Sequence, residues 1–283
     1  MNKSTKGIIS FLIIAFGIAW GCWGILFSIG ITPRDPRFQI WGTIPGFAPA
    51  IAAFIVRKWV TREGFADAGL RPNLNKWRYY LLAWLLPLGI ASIITGLAVI
   101  FRISMPDPTL QRAYQVLSPE SGPPAILLNL PLPVVPMFLT WITTFLIFGE
   151  EFGWRGYLQK RLLADRPALA GLATGFIWGV WHIPMIIASG DQYADTPLLG
   201  VIVFPISAAL LSVIWGWLCL RTGSVWVSCL AHAATNSFGS LMMISLFYGG
   251  ANWTFTSYFG ILGWLPLGMI CAYLVLSGQL KKT

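Results

Sequence analysis

The stretch Gly149-Glu150-Glu151-Phe152-Gly153-Trp154-Arg155-Gly156 puts two adjacent carboxylates and a guanidinium at the end of an apolar run. Ionisable side chains are costly in hydrocarbon and are kept there for a partner or a task. The chain has 2 histidines, and both sit in equally apolar surroundings, His182 in GFIWGVWHIPMII and His232 in SCLAHAATNSFGS. Asn236 follows His232 by four residues, which places both side chains on one face of a helix. A carboxylate, imidazoles and a carboxamide can together take a proton from water, orient it and steady a developing negative charge. For either histidine alone, a hydrogen bond across a helix pair is the alternative. Glu150 has its own alternative, a structural acid bonded to the backbone of a broken helix.

The two glutamates cannot share a task, because neighbours on a helix differ by about 100° around the axis. Glu151 and Arg155 are spaced i, i+4 with the acid first, the better order for an ion pair within a helix. That pairing makes Glu151 a brace that fixes the helix rotation and leaves Glu150 for chemistry.

The elements that must position these groups are membrane helices. Of the 283 residues, 56% are hydrophobic and only 10% are charged, whereas soluble domains carry about 25% charged residues. The net charge of +9 is that of a membrane protein with basic flanking loops. No basic block interleaved with aromatics argues for nucleic acid. The cysteines (Cys22, Cys219, Cys229, Cys271) lie in apolar stretches without CxxC spacing and read as packing residues. Runs long enough to cross a bilayer fall near 8–29, 40–56, 79–101, 137–160, 168–188, 197–220, 224–247 and 258–277, an all-α fold of about eight transmembrane helices around a polar cavity. The first run is too long for a signal h-region and is expected to be retained. The expected organisation is 1–136 as the first three helices, 137–247 as the catalytic core, and 248–283 as the last helix and tail.

With both termini cytoplasmic, the inner segments hold fifteen Lys and Arg and the outer ones four (Arg34, Arg37, Arg102, Arg112), the bias expected of that orientation. A helix opening after Pro136 and running to about residue 160 brings Glu150 ~15 Å from its inner end, with His182 at ~16 Å and His232 at ~13 Å on theirs. The three groups therefore meet at one depth. Glycines at 149, 153 and 156, and at 171, 175 and 179, are small-xxx-small patterns that let helices approach closely, and Gly171 and Gly175 fall on the His182 face. The acidic turn SGDQYADTP and the segment 102–127 are possible access gates or solvated loops.

Glu150-Glu151-x-x-x-Arg155-Gly156, Trp178-x-x-x-His182 and His232-x-x-x-Asn236, in this order, resemble the signature of the CAAX-processing and bacteriocin-processing membrane proteases (the CPBP, or Abi, family). The resemblance covers roughly 137–247. It implies an eight-helix intramembrane endopeptidase acting on a membrane-associated or prenylated-type protein or peptide. In it, Glu150 is the general base aided by His182, His232 and Asn236 position water or the oxyanion, and Glu151 with Arg155 supports the site. Trp178 is a departure, since the family more often has phenylalanine there, and it is expected to alter cavity shape more than chemistry. Glu150, His182 and His232 are also the ligand types of an open zinc site, but HExxH is absent and a ligating Glu150 could not easily be the base, so a metal-free mechanism is preferred. A non-proteolytic scaffold or bacteriocin self-immunity protein is the alternative function. A transporter would show paired broken helices in two related halves, whereas the polar groups here cluster in one.

Overall fold

Among the described residues, the long apolar runs are helical. The computed structural model describes residues 2–33, 35–107, 134–189, 193, 196–239, 247 and 252–281. The longer helices are α1 (Lys3–Ser28), α2 (Ala48–Ile55), α3 (Trp77–Ile100), α4 (Val134–Gly153), α5 (Pro167–Trp181), α6 (Ile183–Ser189), α7 (Pro197–Thr222), α8 (Trp226–Ala234) and α9 (Trp264–Leu276). Extended pairing among the described residues is confined to one isolated bridge, Pro106 with Phe247. Arg34, Arg112, most of the segment 102–127 and five residues of the acidic turn (190–192, 194 and 195) lie outside the described residues.

Among the described residues, the helices Lys3–Ser28, Leu74–Ile100 and Pro197–Thr222 are long and apolar enough to cross a membrane, and Pro167–Trp181 and Ile261–Leu276 are shorter apolar helices. The outward surface is apolar as well. On α4, Phe138, Trp141, Ile142, Phe145 and Leu146 are exposed while Thr140 and Thr144 are buried. An i, i+3, i+4, i+7, i+8 stripe of large apolar groups facing out, with hydroxyls facing in, suits a bilayer and not water.

Glycines set the helix contacts. α5 lies along α7, and a Cβ on Gly175 would collide with Ala208 O and Ser212 Cβ. α4 lies on α2 in the same manner, with Gly153 against Pro49. The α5 glycines thus serve the α7 contact, and His182 meets the same helix at Phe204, with ring centroids 4.9 Å apart.

Among the described residues, the second, fourth, fifth and seventh expected spans are not single regular helices. The fourth continues past α4 through a π-turn, Trp154–Leu158, in which Gln159 N–H reaches Trp154 O, and ends at Gln159–Arg161. The fifth breaks at His182, between α5 and α6. Further π-turns follow α2 (Val56–Val60) and α8 (Thr235–Gly239). Such turns occur often at functional sites.

Arg57, one of the basic residues assigned to an inner loop, instead lies in the first π-turn with no exposed side-chain surface. It donates to Asp67 Oδ1 (2.7 Å), Gly64 O (2.5 Å) and Gly156 O (3.2 Å). Arg161 joins the cluster through Glu63 Oε1 (2.5 Å) and Asp67 Oδ2 (3.2 Å), and Lys160 Nζ donates to Asp67 O. Burial pushes the Asp67 carboxyl up, but the hydrogen bonds and charge of Arg57, with the charge of Arg161, outweigh it and hold the group below the usual carboxylate range. This network ties α2 and its following loop to the far end of the Glu150 helix.

Candidate active site

The break at His182 comes from Pro184, which has no N–H to give and whose ring would strike the carbonyl four residues back. His182 N–H consequently turns back to Gly179 O at 3.1 Å instead of reaching Trp178 O. The Trp178 carbonyl is met by His182 Nδ1 at 2.9 Å. A carbonyl only accepts, so Nδ1 carries the proton and Nε2 is the atom the ring presents elsewhere. Trp20 on α1 caps the same break, its Nε1 donating to Trp181 O at 2.9 Å.

His232 is held the same way by a different partner. It is 2% exposed, and its Nδ1 faces Glu151 Oε1 at 2.9 Å. Arg155 Nη1 donates to that same oxygen at 2.9 Å. Glu151 therefore joins Arg155 on its own helix to His232 on α8. The i, i+4 spacing announced the first partner, and nothing in the spacing announced the second. The Arg155 guanidinium also lies over the rings of Trp178 (5.4 Å) and Trp215 (5.0 Å), a favourable place for a desolvated cation.

Glu150 points elsewhere, as the 100° step requires. It is half-buried, and its Oε2 accepts a 2.6 Å hydrogen bond from Trp178 Nε1. The Trp178 ring meets His182 and His232 edge to face, each at a centroid distance of 5.1 Å. Trp215 stacks on His232 at 4.6 Å. Glu150, His182 and His232 thus converge on one indole. Asn236 lies in the π-turn after α8 and is exposed, while His232 is buried.

Sequence reasoning missed two tryptophans. Trp178 was expected to reshape the cavity, and instead it hydrogen-bonds the candidate base. Trp215 carried no signal, being one of 15 tryptophans. Among the described residues, no group of three or more His, Cys, Asp or Glu side chains gathers as a metal ion would need.

A helical membrane protein that gathers a carboxylate and two imidazoles around an indole has the parts of a hydrolase. Residues 131–238 match the family described as Type II CAAX prenyl endopeptidase Rce1-like, a span that contains every residue of this site. This stretch of the chain is similar to that peptidase family. Among curated proteins, none matches it.

Proposed function

We propose that the protein is an intramembrane endopeptidase of the CAAX type, with eight membrane crossings and both termini cytoplasmic in the cell membrane. It hydrolyses a peptide bond of a membrane-associated or prenylated protein or peptide. The observation that carries this reading is the convergence of Glu150, His182 and His232 on Trp178.

In the proposed reaction, Glu150 takes a proton from a water whose oxygen attacks the scissile carbonyl carbon. His182, its Nδ1 occupied by the Trp178 carbonyl, presents Nε2 to the same water. His232 Nε2 and the Asn236 carboxamide position the water and face the oxygen on which negative charge develops. The C–N bond then breaks, and the proton held by Glu150 passes to the leaving nitrogen, giving a carboxylic acid and an amine that settle as carboxylate and ammonium. Glu151 and Arg155 hold His232 from behind. The mechanism needs no metal, and chelation is expected to leave activity unchanged.

The test is cleavage of a prenylated reporter peptide by protein in nanodiscs. Glu150→Gln retains size and the bond to Trp178 but cannot accept the proton, so turnover should fall by about 10²–10⁴, the usual worth of a positioned base. A Glu150→Gln protein as active as wild type would overturn the assignment.

A further inference from the structure

We infer that Trp178 is a positioning residue: its indole N–H fixes one oxygen of Glu150 so that the other, Oε1, is the oxygen that receives the proton from water. The inference rests on the peptidase reading above and adds to it which oxygen reacts and what holds it.

Three observations support it. The Trp178 Nε1 to Glu150 Oε2 distance of 2.6 Å is short, as charge-assisted bonds are. The indole itself cannot easily turn. It is 1% exposed and is packed against Trp215 (5.4 Å), Phe204 (6.1 Å) and Phe259 (6.1 Å), with the Arg155 guanidinium over it. Finally, Glu150 Oε1 faces Gly46, standing 3.8 Å from where a Cβ on that glycine would be. One oxygen is therefore tied to a rigid donor, and the other looks toward bare backbone.

The physical gain is preorganisation. A free glutamate side chain must give up rotamer freedom to meet a reactant, and a catalytic group held in place spends nothing on reorientation when the reaction occurs. Trp178 also orders the second participant, because its carbonyl accepts from His182 Nδ1. Phenylalanine at this position could pack against the same neighbours and offer the same carbonyl. It could not donate to Glu150.

The experiment separates the donor from the ring. Trp178→Phe and, as a closer shape match, 3-benzothienylalanine at position 178 each remove the N–H. Both are expected to lower kcat roughly 10- to 100-fold with KM within about twofold, the loss of one hydrogen bond to a charged group. Independently of activity, the indole ¹H–¹⁵N cross-peak that vanishes in Trp178→Phe should shift upfield in Glu150→Gln. If Trp178→Phe does not fold, the benzothienyl variant decides. Wild-type kcat in the benzothienyl variant, or a cross-peak unmoved by Glu150→Gln, overturns the inference. If Glu150→Gln is inactive while the benzothienyl variant is fully active, only the role of Trp178 falls. If Glu150→Gln is itself fully active, the peptidase reading falls, and the role of Trp178 falls with it.

Discussion

Replacing Glu151 by glutamine should unfold this protein far more readily than the same change at Glu150. Neither Glu151 nor Arg155 has any exposed side-chain surface, and Glu151 Oε1 accepts from both Arg155 Nη1 and His232 Nδ1 at 2.9 Å. Glutamine fits the space and keeps an oxygen that can accept one of those bonds. It leaves the guanidinium buried with no opposite charge, and breaking a buried pair from one side costs about 3–5 kcal/mol. The faces of Trp178 and Trp215, with the retained hydrogen bond, offset about 1 kcal/mol, leaving a loss of about 2–4 kcal/mol. Glu150 is half-buried and its one bond to Trp178 survives as a neutral one, so the change there should cost less than about 1 kcal/mol. Thermal unfolding in detergent, followed by light scattering and fluorescence, should place Glu151→Gln about 4–16 °C below wild type at the ordinary sensitivity of melting to stability. Adding Arg155→Met removes the stranded cation and should recover a large part of that loss, since apolar replacement of both partners is often neutral. Melting of Glu151→Gln within a degree of Glu150→Gln, or a double variant no better than the single one, would refute the reasoning.

Two further outcomes are expected. Gly46→Ala places a methyl 3.8 Å from Glu150 Oε1, an ordinary contact that the fold should tolerate, but it crowds the oxygen assigned to water. Its kcat should fall several-fold with an unchanged melting temperature, and an unchanged kcat would mean that the reactive oxygen lies elsewhere. For Asp67, the folded carboxyl lies below its unfolded value, so its contribution to stability is present above about pH 4 and is lost as pH falls through the folded value. The carboxylate is 55% exposed, which limits the effect to about 1 kcal/mol after screening. Asp67→Asn should therefore melt slightly below wild type at pH 7, and the gap should narrow as the pH falls below about 4. A gap that persists there would show that the carboxylate charge is not what Asp67 contributes.

The site was legible where chemistry is local. Intramembrane acids and histidines are rare enough to stand out, and an i, i+4 acid and base fix each other within one helix, so Glu150, Glu151, Arg155, His182 and His232 could be read directly. Three things could not. The Glu151–His232 bond joins helices 81 residues apart in sequence, and no spacing rule reaches that far. Asn236 is exposed on a widened turn beside a buried His232, a difference in burial that spacing does not carry. Trp178 was read by its volume, although an indole differs from a phenyl ring as much by its donor. The helical fold was plain from hydropathy. The break at His182 was also written in the sequence, as Pro184 two residues later, and a long apolar run masked it.

The π-turn at Trp154–Leu158 changes how distance along this chain should be counted. A widened turn carries one residue more than an α-helix of the same rise, so positions on its two sides keep step with each other as though the chain were one residue shorter. Arg161 lies ten positions beyond Glu151 by number, yet its angular place is near that of the ninth. Any wheel or ladder of facing residues drawn straight through 154–158 will slip by about a quarter turn. A relative lacking one residue there would keep both flanks in their places, and a single gap in an alignment at this point would mark a change of winding with both ends of the site intact.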